Sequence, residues 1–231
     1  MHNYIVDYLQ NSLQKSQSQR REFYLNENIS LYIKDPLTRE VDVRNVMEKI
    51  SSVIPPHLIS EIDSIFVGIF EEFEEMETNA MFKDGAIYLT NDQDNEEDMI
   101  DDIVHEIAHS LESPQGYLIY SDGKLQKEFL AKRMKLYEIL KAEGLNPSLK
   151  MFADPDYSKE FDMYLYEDVG YDRLNFICSS YGIFTSAYSA TSLREYFANG
   201  FEYYFLDDRQ YLAKICPQLY KKIEELHEYE D

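Results

Sequence analysis

Met99, Ile100, Ile103, Val104, Ile107, Ala108 and Leu111 recur at the three- and four-residue spacing of a single apolar helical face. This pattern restricts the fold more than any other stretch, because a helix with such a stripe must be laid against a core. Asp94 and Asn95 can cap its start, Glu96, Glu97 and Asp98 suit its positive end, and Ser113-Pro114 is expected to close it. Inside the pattern, "IVHEIAHSLE" runs from Ile103 to Glu112, with two histidines four residues apart and Glu106 directly after the first. Residues four apart on a helix lie on nearly the same face, so His105 and His109 can both reach one ion at roughly 2.0–2.1 Å. Glu106 lies about 100° further round. In an H-E-x-x-H motif that glutamate is the base beside a metal-bound water rather than a ligand. Two histidines on an acidic helix would need no explanation by themselves. The mid-helix position, the strong amphipathic pattern and a preceding hairpin signal favour the metal reading.

The segments around this helix give an α+β pattern. "ISLYIKD" alternates as a strand, and Val43, Val46, Met47, Ile50 and Val53 form an apolar helical face over 41–53 that Pro55-Pro56 stops. "SIFVGIF" over 64–70 is a continuous run of β-branched and aromatic residues and reads as a buried strand. The acidic "EEFEEMET" after it reads as a solvated segment. "NAMFKDGAIYLTND" carries two apolar runs around Lys83-Asp84-Gly85, and Asp-Gly predicts a hairpin of two antiparallel strands. The first 21 residues show a weak helical pattern around Tyr4, Ile5, Tyr8 and Leu9, which suggests an N-terminal helical segment over 1–30 ahead of a main domain over 31–231. The C-terminal "RQYLAKICPQLYKKIEELHEY" reads as two helices separated at Pro217, with Leu219, Ile223 and Leu226 as a core stripe.

Composition narrows the partners. A chain of 231 residues with 44% hydrophobic content can bury a core, and a single compact unit is expected. Acidic residues number 44 against 22 basic ones, so the formal charge of −22 repels a phosphate backbone and argues against nucleic acid. The two cysteines, Cys178 and Cys216, are too few for a disulfide framework. No stretch approaches the roughly 20 apolar residues of a membrane span, and no basic leader with a long apolar run opens the chain. A cytoplasmic protein is expected, or one delivered without a signal peptide as a phage factor or effector, not one that is conventionally secreted. Oligomeric state is not readable.

Two histidines leave a tetrahedral metal short of a third protein ligand. After His109 the chain reads "SLESPQ", whereas the metzincin continuation needs glycine at Glu112 and histidine at Gln115, so that class is excluded. A carboxylate on a second helix is the other common solution. Glu195 in "SLREYFANGFEYYF" and Glu128 in "LQKEFLAKRMKLYEIL" are the candidates. Basic neighbours make Glu128 more simply a residue of a solvated helix, paired with Lys132 one turn on. His2, His57 and His227 stand outside the pattern.

The stretch from Tyr188 to Phe201, "YSATSLREYFANGF", resembles the second motif of the anthrax lethal factor catalytic domain and the related Pro-Pro endopeptidases. In that family a ligand glutamate opens an E-x-F-A-x-x-F helix and a catalytic tyrosine stands seven residues before it. Glu195, Phe197, Ala198, Phe201 and Tyr188 occupy those positions here. The resemblance covers about residues 40 to 225, with specificity confined to the two motifs. It implies a zincin-like metallopeptidase domain: a small mixed sheet, an active-site helix and a helical C-terminal half. It also implies Zn2+ held by His105, His109 and Glu195 in the gluzincin manner, Glu106 as general base and Tyr188 as donor to the developing oxyanion. The chain departs from the family in two places. A long gap between His109 and Glu195 implies an inserted helical segment, about 124–166, near or over the cleft. The family also tends to place an acid one turn after the ligand glutamate, where this chain has Asn199; an amide can accept from an imidazole N–H but cannot raise ligand basicity as a carboxylate does.

These readings lead to the expectation of a zinc-dependent endopeptidase acting on protein or peptide. A catalytically inactive zincin-fold binding module is the alternative. Asn79, Ala80, Met81 and Phe82 are similar to the edge strand that pairs with extended substrate in thermolysin-like enzymes, and the acidic field would steer cationic or neutral peptides inward.

Overall fold

A computed structural model describes residues 22–25, 28–76 and 78–229. The expected N-terminal helix over the first 21 residues lies outside them. The last part of that segment differs from expectation, since Glu22–Leu25 is a strand, β1. The architecture is α+β, a small mixed sheet followed by a helical C-terminal half. The described residues fall into two compact units, those within 22–52 and 59–103, and those within 53–58 and 104–229.

The first unit holds the sheet. After β1 come β2 (Ile29–Ile33), helix α1 (Val43–Val53), β3 (Ser64–Gly68), helix α2 (Glu71–Met76), β4 (Ala80–Lys83) and β5 (Ala86–Thr90). The order across the sheet is β1-β2-β3-β5-β4, with β2, β3 and β5 parallel and the outer strands β1 and β4 antiparallel to their neighbours. One row of side chains, Leu31, Ile65 and Ile87, is in register and fully buried. The next row presents Tyr32, Phe66 and Tyr88 to the opposite face, stacked at 5.3 and 5.5 Å between ring centroids. Apolar groups on both faces of the parallel strands explain why "SIFVGIF" reads as an unbroken hydrophobic run. The hairpin between β4 and β5 turns at Asp84 and Gly85, whose φ values of 51° and 79° are both left-handed. That is the demand of a tight two-residue turn, and it accounts for Asp-Gly. "EEFEEMET", expected as a solvated segment, forms α2 over six of its residues, with Phe73 buried against the Phe70 ring.

Helix α3 (Glu96–Tyr120) begins in the first unit and carries the two histidines in the second. Its start is capped reciprocally: Asn95 Oδ1 accepts from Asp98 N at 2.9 Å, and Asp98 Oδ2 accepts from Asp94 N at 3.0 Å. All seven residues of its apolar stripe are buried. Its far end differs from expectation, since α3 passes through Pro114 and ends two turns later. An internal proline costs roughly 3 kcal/mol. Compensation comes from buried Ile119, from Tyr120 Oη donating to Glu112 at 2.5 Å, and from Lys222 Nζ donating to the Leu118 carbonyl at 2.7 Å.

The second unit continues with α4 (Lys124–Ala142), α5 (Leu149–Ala153), α6 (Lys159–Met163), a π-helical turn over Tyr164–Val169, α7 (Tyr171–Tyr181), a 3-10 turn over Tyr188–Ala190, α8 (Leu193–Leu206), α9 (Arg209–Ile215) and α10 (Pro217–Glu228). Pro217 stands at the start of α10 and separates it from α9, and Leu219, Ile223 and Leu226 are buried as a stripe. The expected insertion folds around Arg133, which is fully buried with its guanidinium 3.9 Å from the Phe161 ring centroid. Arg133 donates to the carbonyls of Met151 and Asp154. Burial pulls its pKa down to about 10.

Glu128 and Lys132 do not form the surface pair that the spacing suggested. The Glu128 carboxylate accepts from Gln218 N, Leu219 N and Tyr196 Oη at 2.9, 3.1 and 2.9 Å. Lys132 Nζ donates to the carbonyls of Ile183 and Ile215, both at 2.6 Å. The reason is local: Cys216, the N-cap of α10, makes no side-chain cap, so orphan N–H groups at a positive helix end take a carboxylate from α4 instead. The ammonium serves the last carbonyl of α9 in the complementary way.

Candidate metal centre

His105, Glu106 and His109 project from the middle of α3, and Glu195 from the first turn of α8. Ser192, the N-cap of α8, accepts from Glu195 N at 3.1 Å, which fixes the backbone of the glutamate. Two turns of chain separated by 90 positions are thereby brought together: His105 Nε2 is 3.0 Å from Glu195 Oε2, and His109 Nε2 is 3.6 Å from Glu195 Oε1. One ligand atom from each of the three residues lies within 4.8 Å of the others. Glu128 is engaged in capping α10 and stands outside this group.

The remaining nitrogen of each ring faces another carboxylate. His109 Nδ1 is 2.9 Å from Glu112 Oε2, and His105 Nδ1 is 3.5 Å from Glu202 Oε2. Glu112 also accepts from Arg194 Nε at 2.7 Å and Nη2 at 2.6 Å, which ties α3 to the turn that carries Glu195. Asn199 does not take the place expected beside an imidazole. Its Oδ1 accepts from Ser186 Oγ at 2.6 Å and its Nδ2 donates to the Glu195 carbonyl at 3.0 Å, so it supports the backbone of the ligand residue. Glu112 and Glu202 were missed in the sequence. The available signals were spacing alone: Glu112 is one turn past His109, and Glu202 is two turns past Glu195, on the same helical faces.

Electrostatics follows from this crowding of acids. Burial is the largest influence on both rings and favours the neutral form, yet Glu195 and Glu202 raise His105, and Glu112 and Glu195 raise His109, well above the ordinary value. Burial likewise opposes ionisation of Glu112 and Glu195, but the imidazoles, with Arg194 and Tyr120 at Glu112, hold both carboxyls well below their usual range. Glu106 is 6% exposed and adds its charge to the field at His105. Four glutamates thus surround two imidazoles and one guanidinium. This surplus of negative charge, two ring nitrogens and a carboxylate converging on one point, and a carboxylate behind each ring all fit a divalent metal ion.

Tyr188 opens the 3-10 turn ahead of α8 and places its ring centroid 6.3 Å from that of His105. Asn175 Oδ1 accepts from Ala187 N at 2.6 Å and holds this turn against α7. At 38% exposure the Tyr188 ring is accessible. Burial of the hydroxyl, then the charges of Glu195 and Asp162, push its pKa up, so it remains a proton-bearing donor. The inserted segment reaches this side of the site: Leu193 N donates to the Pro155 carbonyl at 2.8 Å, and Asp162 accepts from Tyr157 Oη and Tyr171 Oη at 3.1 and 2.5 Å.

Asn79, Ala80, Met81 and Phe82 belong to the first unit, where β4 is an outer strand of the sheet. His57 Nε2 lies 3.1 Å from the Leu226 carbonyl and His227 Nδ1 lies 3.0 Å from Tyr204 Oη, so both serve packing. His2 lies outside the described residues. Both cysteines are buried free thiols. Among the described residues no helix is long and apolar enough to cross a membrane. Compared with known proteins, the chain matches no family model, no curated protein and no solved structure, so the reading of this centre rests on its own residues.

Proposed function

We propose that the chain is a zinc-dependent endopeptidase of zincin type. The observation that carries this reading is the convergence of His105, His109 and Glu195 beside a buried Glu106. His105 and His109 through imidazole nitrogen, and Glu195 through a carboxylate oxygen, would hold the ion. Zinc so bound lowers the pKa of a water towards about 7 and polarises a peptide carbonyl. Glu106 accepts the proton of the attacking water at its carboxylate and passes it to the leaving amine. Tyr188 donates its hydroxyl hydrogen bond to the carbonyl oxygen as negative charge grows there. Ser192 and Asn199 keep the Glu195 backbone in place through their hydrogen bonds. The −22 charge favours basic or neutral substrates.

The test joins zinc content with digestion of a proteome-derived peptide library by wild type and by Glu106→Gln. New peptide termini are expected with wild-type protein alone, and about one zinc per chain in both. A wild type that takes up zinc but leaves the library intact would instead support an inactive binding module. Absence of zinc from both proteins would remove the metal site as well.

A further inference from the structure

His105 lies between two carboxylates of the same helix. Its Nε2 faces Glu195 at 3.0 Å and its Nδ1 faces Glu202 at 3.5 Å. The seven-residue step from Glu195 to Glu202 is nearly two full turns, so both side chains leave one face of α8 about 10.5 Å apart along the axis. An imidazole held crosswise in that gap presents one nitrogen to each end. A ring can offer Nε2 to a metal only when its proton sits on Nδ1, and an acceptor at Nδ1 both fixes that tautomer and stops the ring from rotating. Asn199 cannot serve, since its oxygen is taken by Ser186 and its nitrogen donates to the Glu195 carbonyl.

We propose that Glu202 is the positioning residue for His105, accepting from its Nδ1–H so that the proton stays on Nδ1 and Nε2 is aimed at the metal, while Glu112 does the same for His109. This inference rests on the metal reading given above. The two supports are unequal. Glu112 has a side chain 10% exposed and is held by Arg194 and Tyr120 as well as His109. Glu202 is 28% exposed and stands further from its ring. Glu202 is therefore the member whose change affects the metal with least damage to the fold.

The experiment uses the full chain and needs no substrate. Zinc affinity is measured by competition with a chromophoric chelator for wild type, Glu202→Gln and Glu202→Asp, alongside urea unfolding of each in excess chelating agent. Glu202→Gln is expected to bind zinc about 10–100-fold more weakly, the range for loss of such a support. Glu202→Asp keeps the charge and should recover part of the loss, while unfolding in chelator stays as in wild type. Wild-type affinity in Glu202→Gln overturns the inference and leaves the metal centre standing. Equal weakening in the Gln and Asp variants, or a loss matched by a loss of stability without metal, assigns Glu202 a structural role and also overturns it. A wild type that binds no zinc overturns the parent reading and this one together.

Discussion

Gly200 on α8 lies tightly against Leu219 of α10, and replacing it by alanine tests whether that approach positions the ligand helix. A Cβ built at residue 200 would lie 2.2 Å from Leu219 Cδ2, 2.7 Å from Cγ and 2.9 Å from Cδ1. Carbon atoms prefer about 3.5–4.0 Å, so the side chain or the helix must give way by more than an ångström. Leu219 is fully buried and has nowhere to turn without opening a gap elsewhere. Overpacking of this kind costs about 1–3 kcal/mol, while Gly to Ala inside a helix returns about 0.5–1 kcal/mol. The expected net loss is about 1–2 kcal/mol, read as a lower urea midpoint at unchanged slope. Because Glu195 lies five residues earlier on the same helix, zinc affinity should fall as well. The double variant Gly200→Ala/Leu219→Ala supplies the decisive comparison. Leu219→Ala alone should cost about 2–5 kcal/mol for its cavity, and the added methyl then fills part of it, so the double variant should be more stable than the sum of the singles. Strict additivity, or a Gly200→Ala protein more stable than wild type, would refute the close approach.

Three further outcomes follow from the same contacts. Tyr188→Phe should retain zinc and lose about 2.7–4 kcal/mol of transition-state stabilisation, roughly a hundredfold or more in kcat on a peptide found by the library screen; unchanged kcat removes the hydroxyl from the reaction. Zinc affinity should rise with pH, because acidic neighbours raise both rings above 6.5, His109 to about 9, and an ion must displace their protons. Two displaced protons give up to about a hundredfold per pH unit between pH 6 and 8, and chelator competition at a series of pH values showing no such slope contradicts the electrostatics. Glu128→Ala should cost about 2–3 kcal/mol by urea unfolding, having removed the acceptor for two α10 amides and Tyr196, yet leave zinc affinity intact. A loss of zinc in that variant would return Glu128 to the list of ligands.

Short-range physics made part of this protein legible from its residues. The stripe from Met99 to Leu111, the cap at Asn95, the Asp84-Gly85 turn and the break at Pro217 each depend on neighbours within a turn or two, where periodicity and backbone sterics decide the outcome. The pairing of His105 with His109 belongs to the same class. Tertiary structure decided the rest, chiefly where partners are far apart in the chain or where one side chain has several neighbours to choose among. Pro114 stays inside a helix because Lys222 and Tyr120 hold its last turns. Glu128 caps a distant helix rather than pairing with Lys132, and Asn199 turns to its own backbone while Glu112 and Glu202 back the imidazoles. Local propensity cannot rank glutamates that are equally good helix residues; only packing, which fixes where α8 lies against α3, selects Glu195 to meet two rings some 90 positions earlier.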